Sequence, residues 1–193
     1  MKTVNVNREI ADYFLSDARD FLLRYKLLEE KSHAHIGLRS KLLVELIFSL
    51  ECALKALIFI ESKESEKLTY KKAKDGGHNI KKLVACLEED SQEQFSKIMT
   101  IDLSQYEVYC RYQLESQIDF RGEMGELEDK YYSTIANFTW LSKIYKAISE
   151  FIDYVDTKNP VEKFLIKKIS DINIEEELEK RERLMNIRSK QKT

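Results

Sequence analysis

The sequence predicts an all-α protein: an up-and-down helical bundle of four to five core helices with a C-terminal helical tail. Glycine and proline are scarce, at five and one among 193 residues, whereas all-β folds need many turns rich in both. Apolar side chains recur at spacings of three and four, which indicates helices with one buried face. The hydrophobic content of 43% excludes a disordered chain. We expect the bundle at residues 1–160 and a charged helical tail at residues 161–193.

The first two helices follow from long apolar patterns. One helix is predicted over about residues 7–30, and a second over about residues 33–62 with Ser32 as its N-cap. Residues 42–60 are apolar almost all round, which is typical of the central helix of a bundle. A charged side chain near the centre of a bilayer costs about 2.5–3.5 kcal/mol. This segment contains three charged residues, Glu45, Glu51 and Lys55. Their combined cost argues against a membrane span.

The later elements are predicted from helix caps and helix breakers. Each has a weaker apolar pattern than the first two helices, except the one that ends before Asn159-Pro160. In order, we expect a polar loop at residues 62–77, a helix capped by Asn79, a short continuing helix with a cap at Ser91, a helix from the Ser104–Glu107 capping box to about Ile118, a helix at about residues 127–156, and a polar tail helix at about residues 174–188.

Composition excludes several classes of function. The net charge of −2 is unlike that of a general nucleic-acid coat protein, which is strongly basic, so any nucleic-acid contact must be local. The chain has three cysteines, Cys52, Cys86 and Cys110, and no CxxC spacing. This pattern indicates small buried residues in a reducing compartment rather than a zinc site. The N-terminus has no apolar signal segment, and we expect a cytoplasmic protein.

Signatures of common enzymes are missing as well. The chain contains no GxGxxG, GxxxxGK[ST], GxSxG or HExxH motif. Of its three histidines, His33 and His35 would point to different sides of a helix, and a metal site there would need further ligands that the sequence does not indicate. We therefore predict no cofactor and no metal site.

The tail is strongly basic. Residues 180–193 contain six basic side chains and one acidic side chain, a local net charge of +5. One interpretation is a solvated or frayed helix end. The other is contact with RNA phosphates or an acidic partner, and its candidate contact residues are Lys180, Arg181, Arg183, Arg188 and Lys190.

Polar residues in three separate segments form the candidate site. Glu51 and Lys55 lie in the most apolar helix, where an isolated charge is costly and a pair at i, i+4 is expected. His78 lies at a predicted helix N-terminus, next to two glycines that allow close backbone approach. These residues are either a structural polar cluster or a ligand site, whose members would be Glu51, Lys55, His78, Asn79, Arg111 and Tyr112.

Two of these segments resemble motifs of the HEPN superfamily of small helical bundles. Leu50-Glu51 with Leu54-Lys55-Ala56-Leu57-Ile58 is similar to the "LExxLKALL" pattern of its second helix. Gly77-His78-Asn79-Ile80 with Leu83 is similar to the "GHxLxxL" pattern that opens its third helix. The resemblance covers roughly residues 7–156. It implies a dimeric ribonuclease of a toxin–antitoxin or other defence system, a partner of a small nucleotidyltransferase, or a noncatalytic module.

The chain departs from the pattern of the nuclease members. Those carry an arginine followed four to six residues later by a histidine, but here the nearest such pair, Arg24 and His33, is too widely spaced. We therefore favour a noncatalytic module that dimerises and binds a partner protein or a nucleotide or RNA ligand, in a prokaryotic toxin–antitoxin or phage-defence system. The alternative is a metal-independent endoribonuclease in which His78 acts with Arg111 or Arg121. No membrane partner is expected.

Overall fold

The computed structural model describes residues 6–106, 112–120, 130–159 and 173–187. Over these ranges the all-α prediction is confirmed, with no strand among them. They form nine α-helices and one short 3-10 helix at Ile36–Leu38. The helices are α1 (Val6–Ser32), α2 (Arg39–Glu61), α3 (Glu66–Gly76), α4 (Ile80–Val84), α5 (Glu89–Ile98), α6 (Gln113–Phe120), α7 (Lys130–Ser133), α8 (Phe138–Lys158) and α9 (Ile174–Asn186).

The long helices α1, α2 and α8 pack around one hydrophobic core. Helix α2 is central, and 16 of its 23 residues are buried, as its apolar sequence predicts. It lies antiparallel to α1, and the hydroxyl of Ser49 donates a hydrogen bond to the carbonyl of Ala18 (2.7 Å). The short helices α3 and α4 pack against α2, and α5 packs against α8. Among the described helices, none has both the length and the apolar character needed to cross a membrane.

The junction between the first two helices differs from the prediction. Ser32 is the last residue of α1 rather than the cap of the next helix, and its hydroxyl donates to the carbonyl of Glu29 (2.6 Å). The 3-10 helix then leads into α2, which begins at Arg39. Ser32 therefore belongs to the last turn of α1, and it lies too far before Arg39 to cap α2.

The polar loop predicted at residues 62–77 is wrong, because α3 occupies most of it. Its buried residues are Thr69, Ala73 and Gly76, at helical spacings of four and three. Side chains this small let α3 approach α2 closely, and the hydroxyls of Ser62 and Thr69 lie 2.6 Å apart. Leu68 is exposed and Tyr70 is only partly buried against the core, so charged residues dominate this segment and its sequence resembles a polar loop.

Two later boundaries also differ. Helix α5 begins after Glu88, and Ser91 lies inside it, where its buried hydroxyl contacts Glu61 and lies 2.8 Å from the Tyr154 hydroxyl. The helix predicted at 127–156 is two helices, because Asn137 caps α8 by accepting the backbone N–H of Trp140 (3.1 Å).

The end of α8 at Lys158 agrees with the predicted stop at Asn159. Ser104 lies in a turn, and its predicted capping partner, Glu107, is outside the described residues. Residues 127–129 are outside them too.

Candidate functional site

Glu51, Lys55 and His78 form one polar cluster. The Glu51 side chain is buried, with the residue only 4% exposed. Its Oε1 accepts a hydrogen bond from Lys55 Nζ (2.5 Å), and its Oε2 lies 2.8 Å from His78 Nδ1. Both carboxylate oxygens therefore have a partner, as burial of a charge requires. The local pair at i, i+4 is joined by a histidine 27 residues away in sequence.

The connection between α3 and α4 positions His78. Gly77 has a φ of +58°, a positive value that favours glycine, and its N–H donates to the carbonyl of Lys74 (2.9 Å). Asn79 caps α4 by accepting the backbone N–H of Lys82 (3.0 Å), as the sequence predicts. His78 lies between these two fixed residues, with 67% of its side chain exposed.

This geometry leaves one ring nitrogen of His78 available. When the imidazole is neutral, the buried Glu51 carboxylate favours the tautomer in which Nδ1–H donates to Oε2. The lone pair is then on Nε2, for which the described residues supply no hydrogen-bond partner. An exposed imidazole held in this way can accept a proton from a ligand, or bind a phosphate when it is itself protonated.

Exposed lysines surround this connection. Residues 71–82 contain five lysines and one aspartate, a net charge of +4 with His78 neutral. Lys81 lies 3.7 Å from a carboxylate oxygen of Asp102. The other four are exposed and form no ion pair within the described part of the chain. We call this set the lysine surface: Lys71, Lys72, Lys74 and Lys82.

The lysine surface is continuous with His78. Lys71, Lys72 and Lys82 line a cavity of about 490 Å³, whose lining also includes the carboxylates of Glu64 and Asp75. Lys82 also lines a second cavity, of about 410 Å³, together with His78 and Asn79. This surface is not among the sites predicted from sequence. Its signal is the density of five lysines within twelve residues.

The tail arginines and lysines have a different environment. Lys180 Nζ lies 2.8 Å from Glu177 and 3.5 Å from Glu176, and these carboxylates help to raise the pKa of Lys180. Arg183 is paired with Glu66 of α3. Arg181 is exposed and has no partner among the described residues. The remaining two candidates, Arg188 and Lys190, are outside the described residues.

The structure does not bring Tyr112 to the cluster. Its ring lies beside Lys41, with 5.6 Å from Nζ to the ring centroid. Lys41 is ten residues before Glu51, which corresponds to about 15 Å along the axis of α2. The two candidate arginines, Arg111 and Arg121, are outside the described residues.

The cysteines next to the site are free thiols. Cys52 and Cys86 are half-buried, and Cys110 is outside the described residues. Burial raises the pKa of Cys52 to about 12, with smaller contributions from Glu51 and Asp17. Its thiol therefore stays protonated and unreactive at neutral pH.

Comparison with known proteins returned no match to a family model, a curated protein or a solved structure. The candidate site is therefore defined by its own geometry. It consists of a buried carboxylate that holds an exposed imidazole, next to four lysines without ion-pair partners in the described structure.

Proposed function

We propose that this chain is a noncatalytic HEPN-like helical module that dimerises and binds RNA. The observation that carries the proposal is the lysine surface. Lysines without carboxylate partners are free to neutralise phosphates, and the release of counterions from RNA drives such binding. A role in a toxin–antitoxin or phage-defence system is supported by the sequence resemblance alone.

The lysine surface is a better candidate than the tail for phosphate contact. Lys180 and Arg183 would have to break ion pairs with Glu177 and Glu66 before they could bind a phosphate. Lys71 and Lys72 have no such pairs to break within the described residues. The competition between carboxylate and phosphate therefore favours α3 over α9.

Fluorescence anisotropy with a labelled single-stranded RNA, measured over a series of salt concentrations, tests this proposal. We expect Lys71→Glu/Lys72→Glu to weaken binding and to reduce the salt dependence by about one unit of slope for each lost phosphate contact. The matched control is Lys143→Glu/Lys146→Glu, which changes the net charge equally at two exposed lysines of α8. Equal losses in both variants would show that only overall charge matters and would remove the proposed site.

Dimerisation is supported by two exposed leucines of α1. Leu23 and Leu27 are 58% and 65% exposed and lie one turn apart. The main apolar faces of α1 and α8 are buried in the core, so they are not available to a second copy of the chain. Light scattering on the wild type and on Leu23→Glu/Leu27→Glu should give a dimer and a monomer, respectively. A monomeric wild type at high concentration would remove this part of the proposal.

The contact between Glu51 and His78 favours a second candidate, a metal-independent endoribonuclease. Nε2 of His78 would accept the proton of a ribose 2′-hydroxyl. The 2′-oxygen would bond to the adjacent phosphorus as the bond to the 5′-oxygen breaks, and a solvent proton would neutralise that leaving oxygen. The products would be a 2′,3′-cyclic phosphate and a 5′-hydroxyl. Lys82, which lines the same cavity, could stabilise the charge on the phosphate.

Incubation of labelled RNA with high protein concentrations in EDTA separates the two candidates. Cleavage that is lost in His78→Ala and kept in His35→Ala, a second exposed histidine, would establish the enzyme. Binding without cleavage would establish the noncatalytic module.

A further inference from the structure

Two phenylalanines lie side by side at the surface between α1 and α2. The ring centroids of Phe21 and Phe48 are 5.3 Å apart, with an angle of 41° between the planes. Both side chains are partly exposed, and among the described residues neither joins the hydrophobic core. Phe14, two turns before Phe21, shows the contrast, because it packs on the core and stacks on Phe59 at 5.8 Å. The fold therefore has no evident need for the Phe21–Phe48 pair.

A planar polar group, a guanidinium at one end and an imidazole at the other, extends this pair. The guanidinium carbon of Arg24 lies 5.0 Å from the centroid of the Phe21 ring. At the other end, the His78 imidazole centroid lies 6.2 Å from that of Phe48. The four side chains follow one another across α1, α2 and the connection before α4. We call them the aromatic row: Arg24, Phe21, Phe48 and His78.

The carboxylates that contact the row are already paired. Glu45 lies 2.8 Å from Arg24, and Glu51 is shared by Lys55 and His78. Asp17 and Asp20 are exposed on α1 within about one turn of Phe21, and Asp17 also lies close enough to Cys52 of α2 to help raise its pKa. Phosphates would be repelled there and attracted at the His78 end, where the lysine surface begins.

We propose that the aromatic row is a stacking platform for the bases of single-stranded RNA whose phosphates lie on the lysine surface. This inference rests on the RNA-binding function proposed above and names its substrate class. Aromatic faces stack on any base, which gives binding without strong sequence preference. Bases inside a duplex are stacked on each other and cannot reach the rings. His78 belongs to both surfaces and therefore connects the base-binding rings with the phosphate-binding lysines.

The aromatic row is continuous with the positively charged lysine surface, and this favours RNA over a protein surface as the occupant. A protein partner could cover the two phenylalanines, but it would also need polar groups that pair with Arg24 at one end of the row and with His78 at the other. A single strand offers a base for each ring and a negative backbone for the adjacent lysines. The alternative, an interface between two copies of this chain, is an outcome of the experiment below.

The experiment compares two labelled probes, a 12-nucleotide oligoadenylate strand and a 12-base-pair RNA duplex. The test variant is Phe21→Leu/Phe48→Leu, which keeps apolar volume and removes both ring faces. Phe14→Leu is the matched control in the core. We expect the affinity of the test variant for the single strand to fall by at least about fivefold for each ring lost. Its affinity for the duplex should not change. A 2-aminopurine in the strand should report stacking through quenched fluorescence with the wild type, and not with the test variant.

Three other results would overturn the inference in distinguishable ways. Unchanged single-strand binding by Phe21→Leu/Phe48→Leu, together with weaker binding by Lys71→Glu/Lys72→Glu, would reject the aromatic row and leave the RNA-binding function in place. Equal loss for both probes, with a change from dimer to monomer in light scattering, would identify the row as an interface between copies. No binding of either probe by the wild type would reject both proposals.

Discussion

Arg183 of α9 forms a two-point ion pair with Glu66 at the first turn of α3. Its Nε lies 2.9 Å from one carboxylate oxygen and its Nη2 lies 2.8 Å from the other. The two residues are 117 positions apart in sequence. Leu184 and Ile187 of the same segment pack against the hydrophobic core. Helix α9 is thus held on the bundle by a planar guanidinium–carboxylate contact and by two apolar side chains.

We predict that Arg183→Lys loosens α9 without unfolding the bundle. Lysine cannot reproduce a two-point contact with a carboxylate. Loss of one charge-assisted hydrogen bond, about 1–2 kcal/mol, should increase the hydrogen-exchange rates of the α9 amides about fivefold or more while the α2 amides stay protected. The matched control is Arg181→Lys, on the same helix and without a partner in the described structure. Equal exchange in the two variants would contradict the prediction.

Acid should release α9 for the same reason. The hydrogen bond from Arg183 lowers the pKa of Glu66 below its ordinary value of 4.5. A carboxylate whose pKa is lowered by docking stabilises the docked state fully above its ordinary pKa, and this contribution is lost as the pH falls through the lowered pKa. Exchange of the α9 amides, corrected for intrinsic rates, should therefore rise below about pH 4.5. Glu66→Gln should abolish this dependence, and its persistence in that variant would assign the effect to another group.

The ion pair within the central helix could be predicted from helix geometry, whereas the sequence could name His78 as a candidate member of the cluster but not its contact with Glu51. Glu51 and Lys55 are one turn apart, so the helix itself brings them together. The contact with His78 depends on α3, which ends just before it. Helix α3 fully buries only small residues such as Thr69 and Ala73 and carries many charged side chains, so its sequence looks like a polar loop.

Counting charged residues in the sequence also could not show which lysines and arginines form ion pairs in the folded chain. The tail has the highest basic density, but α9 and α3 supply carboxylates to two of its cations, Lys180 and Arg183. The Arg183–Glu66 contact joins distant parts of the chain, and only the fold determines it. The lysines of residues 71–82 are equally visible in the sequence. That they lack carboxylate partners within the described residues follows from the packing of α3 and α4.

We predict that Glu51→Ala destabilises the protein by about 3 kcal/mol. Removing one member of a buried ion pair leaves an uncompensated charge, here the mostly buried ammonium of Lys55. The double variant Glu51→Ala/Lys55→Met should recover most of the loss, because methionine fills a similar volume without a charge. His78→Ala should cost less than about 1 kcal/mol, since that side chain is largely exposed.

Urea denaturation of all the variants measures these differences. A loss below about 1 kcal/mol in Glu51→Ala would mean that the pair contributes little. Failure of Lys55→Met to restore stability would contradict the assignment of the loss to an unpaired lysine.

Gly76→Ala should destabilise the α3–α4 connection. A Cβ at this position would lie 2.6 Å from Cδ2 and 3.3 Å from Cγ of Leu83, which is fully buried and has little room to move. Overpacking of this kind costs about 1–3 kcal/mol. Leu83→Val in the same chain should relieve part of the clash, so the double variant should be more stable than the sum of the single effects predicts.

Gly77→Ala is the comparison for Gly76→Ala. Its Cβ would meet only the carbonyl oxygen of Lys74 at 3.9 Å, but its φ of +58° strains any residue with a side chain. We expect a cost of about 1–3 kcal/mol that Leu83→Val does not relieve. Relief in both backgrounds would show that Leu83 acts through something other than the clash with Gly76.

Glu45→Gln should stabilise the protein at neutral pH. Glu45 is only 7% exposed, and while Oε1 accepts a hydrogen bond from Arg24 (2.8 Å), Oε2 is buried without a partner among the described residues. Burial raises the pKa of Glu45, and the opposing effect of Arg24 is smaller. An acid with a raised folded-state pKa favours folding below its unfolded pKa, and this contribution is lost as the pH rises through the folded pKa. The ionised carboxylate is therefore a cost at pH 7.

Thermal unfolding at pH 7 and pH 4 measures the effect. Glutamine can still accept the hydrogen bond from Arg24 and carries no charge, so we expect its Tm at pH 7 to exceed that of the wild type by about 2 °C, which corresponds to somewhat less than 1 kcal/mol in a domain of this size. The advantage should shrink towards pH 4, where the wild-type carboxyl is increasingly protonated. Glu150→Gln, at an exposed position of α8, controls for net charge. A lower Tm for Glu45→Gln at both pH values would mean that the ion pair with Arg24 outweighs the cost of burying the carboxylate.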